Sequence, residues 1–99
     1  SILNPYHGVC QETKNGQHLY AVRIHLRGNF LVGRYADETE AAIAYNKAID
    51  ICLKKGVRRQ FIPNYIEGLS PNRYAEIYTR ISISDKLLNY LDTTFPSNQ

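Results

Sequence analysis

Residues 18–27, HLYAVRIHLR, decide the fold of this chain because their polarity alternates with a period of two. An extended strand points successive side chains to opposite faces. One face of this stretch carries the apolar residues Tyr20, Val22, Ile24 and Leu26. The opposite face carries Ala21, Arg23, His25 and Arg27. The pattern predicts a strand that is buried on one side and basic on the other.

A first strand is predicted upstream of this stretch, at residues 5–12, PYHGVCQE. Residues 13–17, TKNGQ, would form the turn between the two strands. Within this turn Asn15-Gly16 is a strong hairpin signal, because both residues tolerate a positive φ.

A third strand is predicted at residues 29–35, NFLVGRY, after a turn at Gly28-Asn29. Phe30 and Val32 are its expected core pair. Gly33 indicates a bulge or a close approach of the backbone.

A helix is predicted next, over residues 38–55. Asp37 is a good N-cap, Glu40 can complete a capping box, and Gly56 is the expected stop. The apolar residues that share one helical face are Ala41, Ala44, Tyr45, Ala48, Ile49 and Cys52. Together these elements predict an α+β fold, a three-stranded antiparallel sheet packed on one α-helix, with Tyr20 and Tyr45 between the layers.

The rest of the chain predicts a C-terminal helical extension. Ser70-Pro71 indicates a helix start, and Ser84 is expected to cap a last short helix. The apolar stripe of these helices consists of Tyr74, Ile77, Tyr78, Ile81, Leu87, Leu88 and Leu91. An apolar stripe of this size is expected to be buried against another surface. It can pack on the first helix, form a homodimer or contact a fused domain.

The predicted organisation is a sheet-and-helix domain at residues 5–64, the extension at residues 65–93 and a frayed tail at residues 94–99. The length of 99 residues favours one domain. The chain begins at Ser1 and has no Met, so we expect a processed protein or a piece of a longer one. Neither a signal peptide nor an apolar run of the ~20 residues that a membrane helix needs is visible.

Charge and cysteine content narrow the class of protein. The net charge is +3, and residues 1–60 carry the basic excess, with nine Lys and Arg against five Asp and Glu. This balance mildly favours a polyanionic partner. The two cysteines, Cys10 and Cys52, are too few for a secreted disulfide scaffold and are expected to be reduced thiols in an intracellular protein.

Catalytic and metal-binding patterns are missing from the sequence. It contains no nucleophile elbow, no paired carboxylates in an apolar run and no phosphate-cradling glycine loop. His7, His18 and His25 lack the spacing of a zinc site, and the two cysteines do not form a C-x-x-C pair. We therefore expect a protein that is not an enzyme and that uses no cofactor or metal.

The basic face of the predicted sheet is the candidate site. Arg23, His25 and Arg27 come from the middle strand, and the other members are Lys14, Asn29, Leu31 and Arg34. Cations displace counterions from DNA phosphates, while Arg and Asn can pair with guanine and adenine edges in the major groove. From the alternation alone an ordinary solvated face is the more frequent explanation, with the arginines exposed to solvent or in a salt bridge with Glu12. Glu12 on the same face also counts against a purely electrostatic contact.

Four stretches resemble the DNA-binding domain of the APETALA-two / ethylene-response-factor family. They are YHGV at residues 6–9, YAVRIH at residues 20–25, FLVGRY at residues 30–35 and DETEAAIAYNKA at residues 37–48. Phe61, Pro63 and Asn64 are similar to the closing motif of that domain. The resemblance implies a three-stranded sheet on one helix, with the sheet lying in the major groove of double-stranded DNA.

The resemblance also implies which positions face the DNA. Family positions that read bases or reach phosphates correspond here to His7, Cys10, Glu12, Arg23, His25, Asn29, Leu31, Arg34 and Tyr45. Most of these residue types differ from those of the plant members, so the plant target sequences do not transfer. The divergence is closer to versions from bacteria, phages, mobile elements or protozoa, often fused to endonuclease or integrase modules.

The main hypothesis is therefore sequence-specific binding of double-stranded DNA, by a transcription regulator or by the targeting module of a homing endonuclease or integrase. The expected location is the cytoplasm or nucleoid of a bacterium or phage host, or the nucleus of a eukaryote. The alternative is a protein-interaction or dimerisation module that uses the C-terminal helices. RNA binding through exposed aromatic residues is a weaker third hypothesis.

Overall fold

Three antiparallel strands precede three helices along the chain, and the computed structural model describes residues 6–96. The elements are β1 (Val9–Lys14), β2 (Gln17–His25), β3 (Asn29–Tyr35), α1 (Glu38–Lys55), α2 (Pro71–Arg80) and α3 (Asp85–Thr94). The sheet order is β1-β2-β3, and α1 packs against one face of the sheet. The predicted α+β fold is confirmed.

The first hairpin is tighter than predicted. Asn15 and Gly16 both have positive φ, 53° and 74°, and Lys14 pairs directly with Gln17. A two-residue turn of this kind needs no further loop residues. The predicted turn over residues 13–17 is therefore too long by three residues: Thr13 and Lys14 belong to β1, and Gln17 belongs to β2.

The other strand ends also differ from the predictions. The first strand begins at Val9, after Gly8 with a φ of 77°, and Pro5 lies outside the described residues. The middle strand ends at His25, because the Leu26 N–H donates to the Gly28 carbonyl and closes a three-residue loop. The third strand has the predicted bounds.

A β-bulge in β3 confirms the interpretation of Gly33. Val22 pairs with Gly33 while Arg23 pairs with Leu31, so Val32 is the extra residue. An extra residue reverses the facing of every side chain that follows it. The bulge therefore returns Arg34 to the same side of the sheet as Arg23. Val32 itself is fully buried, as predicted for the core.

Helix α1 has the predicted bounds and N-cap. The Asp37 carboxylate accepts from the backbone N–H groups of Thr39 and Glu40. The predicted capping box is wrong in its second half, because Glu40 reaches across to Arg80 on α2 at 3.0 Å. The buried face of α1 is wider than the predicted stripe and also includes Ala42, Ile43 and Asn46. Tyr20 and Tyr45, predicted between the layers, are only partly buried.

The C-terminal extension packs on the sheet-and-helix unit within the same chain. Of its apolar stripe, four residues are buried: Ile77, Ile81, Leu87 and Leu91. The other three are half-buried: Tyr74, Tyr78 and Leu88. The Lys47 ammonium donates to the carbonyls of Tyr78 and Ile81, both at 2.9 Å, and so joins α1 to the C-terminal end of α2.

Part of the predicted frayed tail is ordered against the core. Thr94 is the last residue of α3, and the half-buried Phe95 packs on the core cluster. Apolar contact of the Phe95 ring with the core offsets part of the entropy cost of ordering this end of the chain. Residues 97–99 of that prediction lie outside the described part of the chain.

Two buried asparagines join the layers. The Asn64 backbone N–H donates to the side-chain Oδ1 of Asn46 at 2.7 Å, and the Asn46 side-chain Nδ2 donates to the Asn64 backbone carbonyl at 2.8 Å. The Asn64 side chain in turn accepts from the His7 N–H at 2.7 Å and donates to its carbonyl at 3.2 Å. The connector between α1 and α2 is thereby fixed to α1 and to the turn before β1.

Replacement of Asn46 should test this junction. In Asn46→Ala the buried N–H and C=O of Asn64 both lose their partner, and each unsatisfied group costs roughly 1–3 kcal/mol. We expect the free energy of unfolding, measured by urea denaturation, to fall by at least about 2 kcal/mol. The exposed Asn89→Ala on α3 is the matched control and should leave stability nearly unchanged. Equal losses in both variants would contradict the role given to Asn46.

Candidate nucleic-acid interface

One face of the sheet is covered by α1, and the other carries most of the predicted site residues. Directly paired residues of an antiparallel sheet point to the same side. The uncovered side therefore carries one set of three neighbours and three pairs: Cys10–Ala21–Arg34, Glu12–Leu19, Arg23–Leu31 and His25–Asn29. We call this side the outer face. Its predicted members are Lys14, Cys10, Glu12, Arg23, His25, Asn29, Leu31 and Arg34.

Glu12 connects two arginines across all three strands. Its carboxylate accepts from the Arg34 Nε at 2.7 Å and lies 3.6 Å from the Arg23 Nη2. Ala21, on the middle strand between Cys10 and Arg34, has no accessible surface. In the free protein both arginines are therefore engaged by Glu12, the salt bridge that the sequence allowed as their alternative role.

Electrostatics at this cluster favour the ionised carboxylate. The hydrogen bond from Arg34 is the largest influence and holds the pKa of Glu12 below its usual value. Desolvation opposes this effect, and the charge of Arg23 adds to it. The cluster therefore keeps one negative and two positive charges on the outer face at neutral pH.

His25 and Asn29 form a second contact, beside the loop that joins β2 to β3. The His25 Nδ1 and the Asn29 Oδ1 lie 3.1 Å apart, and both side chains are exposed. This contact leaves the Asn29 amide nitrogen available as a donor. Leu31, half-buried on the same strand, provides an apolar patch next to Arg23.

Three predicted site residues lie away from the outer face. Arg27 is exposed in the loop after β2 and lines a cleft of about 440 Å³ with Arg59, whose Nη2 donates to the Leu26 carbonyl at 3.0 Å. His7 lies in the turn before β1, and Tyr45 lies on α1. Both line a cleft of about 260 Å³ with His25 at the end of the sheet.

Tyr45 is held in place by a glycine. A Cβ at Gly8 would overlap the Tyr45 ring and lie 2.8 Å from the Arg23 carbonyl oxygen, so only glycine permits this approach. Burial raises the pKa of Tyr45 above its usual value. Its hydroxyl therefore remains protonated at neutral pH and can act as a hydrogen-bond donor.

Sequence reasoning missed three residues near the outer face: Leu19, Lys86 and Gln17, which pairs with Lys14. Leu19 lies on it opposite Glu12, which the alternation of residues 18–27 already implied. Lys86, at the start of α3, lines a third cleft of about 340 Å³ with Arg23 and Asn29. No local pattern reveals Lys86, because its place depends on how the extension packs.

The two cysteines differ in accessibility. Both are free thiols, Cys10 exposed on the outer face and Cys52 buried in α1. Burial raises the pKa of the Cys52 thiol to about 11. Within residues 6–96 no group of three or more His, Cys, Asp or Glu is placed to hold a metal ion.

Comparison with known proteins gives no relative from which a function can be transferred. No protein-family model matches the chain, and neither the curated proteins nor the solved structures contain a significant match. In the described part of the chain, no helix has both the length and the apolar character to cross a membrane.

The Glu12 cluster can be tested by titration. We expect the Glu12 carboxyl, followed by NMR, to titrate below the ordinary glutamate value of 4.5. Arg34→Gln should move the midpoint upward, and Arg23→Gln should move it less. A lowered folded-state pKa means that the cluster stabilises the fold above the unfolded-state pKa and loses this effect as the pH falls through the folded-state value. If neither substitution moves the titration midpoint of Glu12, the contacts of Glu12 with Arg34 and Arg23 are contradicted.

Proposed function

We propose that this chain binds double-stranded DNA in a sequence-specific manner, with the outer face of the sheet in the major groove. One observation carries the proposal. The strand register and the β3 bulge turn the cations Lys14, Arg23 and Arg34, together with His25 and Asn29, to one side, and within residues 6–96 the helix layer covers only the other.

The chemistry of these side chains supports recognition of bases as well as phosphates. Arginine can donate two hydrogen bonds to a guanine edge, and asparagine can bond twice to an adenine edge. Leu31 offers an apolar surface suited to a thymine methyl group. Lys14, at the end of β1, is suited to a phosphate, since lysine acts as a mobile point charge.

The resemblance of residues 6–9, 20–25, 30–35 and 37–48 to the APETALA-two / ethylene-response-factor domain supports the same mode of binding. On this proposal the chain is a transcription regulator or the targeting module of a larger protein. It would act in the nucleoid if it comes from a bacterium or phage, and in the nucleus if it comes from a eukaryote.

The observation that favoured a dimerisation or protein-interaction module is explained by packing within the chain. This alternative rested on an apolar stripe without a cover, and that stripe packs on α1 and β3 within the chain. No described residue of the stripe is fully exposed. We therefore do not propose this function.

The proposal predicts salt-dependent binding that is lost by changes on the outer face. A duplex selected from a random pool should be retained in gel shifts at low salt, with affinity falling linearly on a log–log plot against salt concentration. Arg23→Ala or Arg34→Ala should each weaken binding to the selected duplex by about 1–3 kcal/mol, because each removes a base-reading side chain.

Arg73→Ala is the matched control for these variants. Arg73 is an exposed arginine on α2, where it pairs with Glu76, and α2 packs on α1 behind the sheet. Its replacement should leave the affinity for the selected duplex unchanged. If the unmodified chain retains no duplex at low ionic strength, the proposed function is wrong.

Cys10 provides a native probe of the same face. Iodoacetamide reacts with thiolates, so at pH 8 the exposed Cys10 should be alkylated while the buried Cys52 stays intact. Saturating duplex should slow the alkylation of Cys10 several-fold, followed by mass spectrometry. An unchanged rate in the presence of bound duplex would place the DNA on another surface.

A further inference from the structure

The chain between α2 and α3 returns to the sheet and fixes the start of α3 beside β3. The Ser84 N–H donates to the Val32 carbonyl at 2.8 Å, at the position of the bulge. The Tyr35 hydroxyl donates to the Ser82 carbonyl at 2.6 Å. These two bonds place the first turn of α3 at the side of the outer face.

A cleft of about 340 Å³ lies between the outer face and this turn. Its lining consists of Arg23, Asn29, Phe30, Leu31, Ser84 and Lys86. The two charged members, Arg23 and Lys86, are both cationic. One comes from the centre of the sheet and the other from the extension, so the cleft joins the two parts of the molecule and is positively charged.

The width of the sheet places this cleft near a DNA backbone. Neighbouring strands lie ~4.8 Å apart, so β1 and β3 are separated by about 10 Å. The major groove is about 12 Å wide. When a three-stranded sheet lies in it, the outer strands come next to the sugar–phosphate backbones. The cleft at β3 then opens toward one backbone, while Lys14 on β1 lies on the side of the other.

We propose that Lys86 binds a backbone phosphate in this cleft, so that the C-terminal extension is part of the DNA interface. The inference rests on the proposed function and adds a contact to it. Phosphate contacts fix the register of a protein on the duplex but carry no sequence information. Lys86 therefore contributes affinity for every duplex, whereas Arg23 and Arg34 contribute to discrimination between duplexes.

The salt dependence of binding tests the contact. One lost phosphate contact reduces the magnitude of the log–log salt slope by about 0.9 on B-form DNA. We expect Lys86→Gln to show this reduction on the selected duplex and on a random duplex alike. Lys86→Arg should keep the slope of the unmodified chain. Arg73→Gln, which removes the same charge behind the sheet, should also leave it unchanged.

A duplex with single neutral phosphates locates the contact. Methylphosphonate replacement of the phosphate at one backbone position should weaken binding of the unmodified chain. The same replacement should have no further effect on Lys86→Gln, because the two changes remove one interaction. Circular dichroism and thermal unfolding of each variant show whether the fold is intact.

The outcomes separate the two proposals. If the chain binds duplex DNA but Lys86→Gln behaves like Arg73→Gln, the phosphate contact is overturned and the DNA-binding function stands. If Lys86→Gln changes discrimination between duplexes and leaves the salt slope unchanged, Lys86 reads a base and the proposal is also overturned. If the chain binds no duplex at all, both proposals fall.

Discussion

Asn46 and Asn64 exchange two hydrogen bonds in the interior, and four parts of the chain meet at this pair. Asn46 also donates to the Tyr74 hydroxyl on α2, and Asn64 also bonds to the backbone of His7 and of Ala42. Buried amides are expensive unless all their polar atoms find partners. Here the partners come from α1, α2, the connector and the turn before β1, so these parts stabilise one another.

The outer face depends on that junction through a short chain of contacts. The Gly8 carbonyl, one residue after His7, accepts from the Arg23 N–H at 2.9 Å, and Gly8 also packs against the Tyr45 ring. The start of β1 is therefore set by the interior on one side and aligns the centre of β2 on the other. The positions of Glu12 and Arg23 follow from this alignment.

On the outer face itself, Glu12 pairs with Arg23 and Arg34, and His25 contacts Asn29, in the free protein. The ion pair between Glu12 and Arg34 is exposed to water and therefore weak, so a partner with better geometry can replace it. Glu12 also reduces the local positive charge, which weakens attraction to any polyanion. A face of this composition favours selection among partners over tight binding to all of them.

The sequence predicted the features that depend on neighbours along the chain. Alternation located β2 and its two faces, Asp37 and Gly56 gave the ends of α1, and Gly33 gave the bulge. These signals are local, since capping, turn chemistry and strand periodicity each act over a few residues. The C-terminal end of β1 was missed because the Asn15-Gly16 turn is shorter than its polar surroundings. The start of β1 was missed because the positive φ of Gly8 interrupts the extended backbone before Val9.

The candidate site was predictable only in part, for the same physical reason. Strand parity identified Arg23 and His25 as members of the outer face, and the bulge expected at Gly33 added Arg34. The Glu12 cluster was foreseen only as an alternative, because parity does not fix side-chain partners. The Asn46–Asn64 pair joins residues 18 positions apart, and the place of Lys86 depends on the packing of two helices. No pattern in the sequence encodes such long-range contacts.

The bond between Ser84 and Val32 has a consequence for association between molecules. An outer strand of a sheet exposes unpaired N–H and C=O groups to which another strand can add. The Ser84 N–H bonds one of these acceptors, the Val32 carbonyl, so the chain at Ser84 covers this part of β3 from within the same molecule. Growth of the sheet by a strand from a second molecule is thereby hindered at β3, and β1, with Lys14 at its end, is the strand left to resist it by charge.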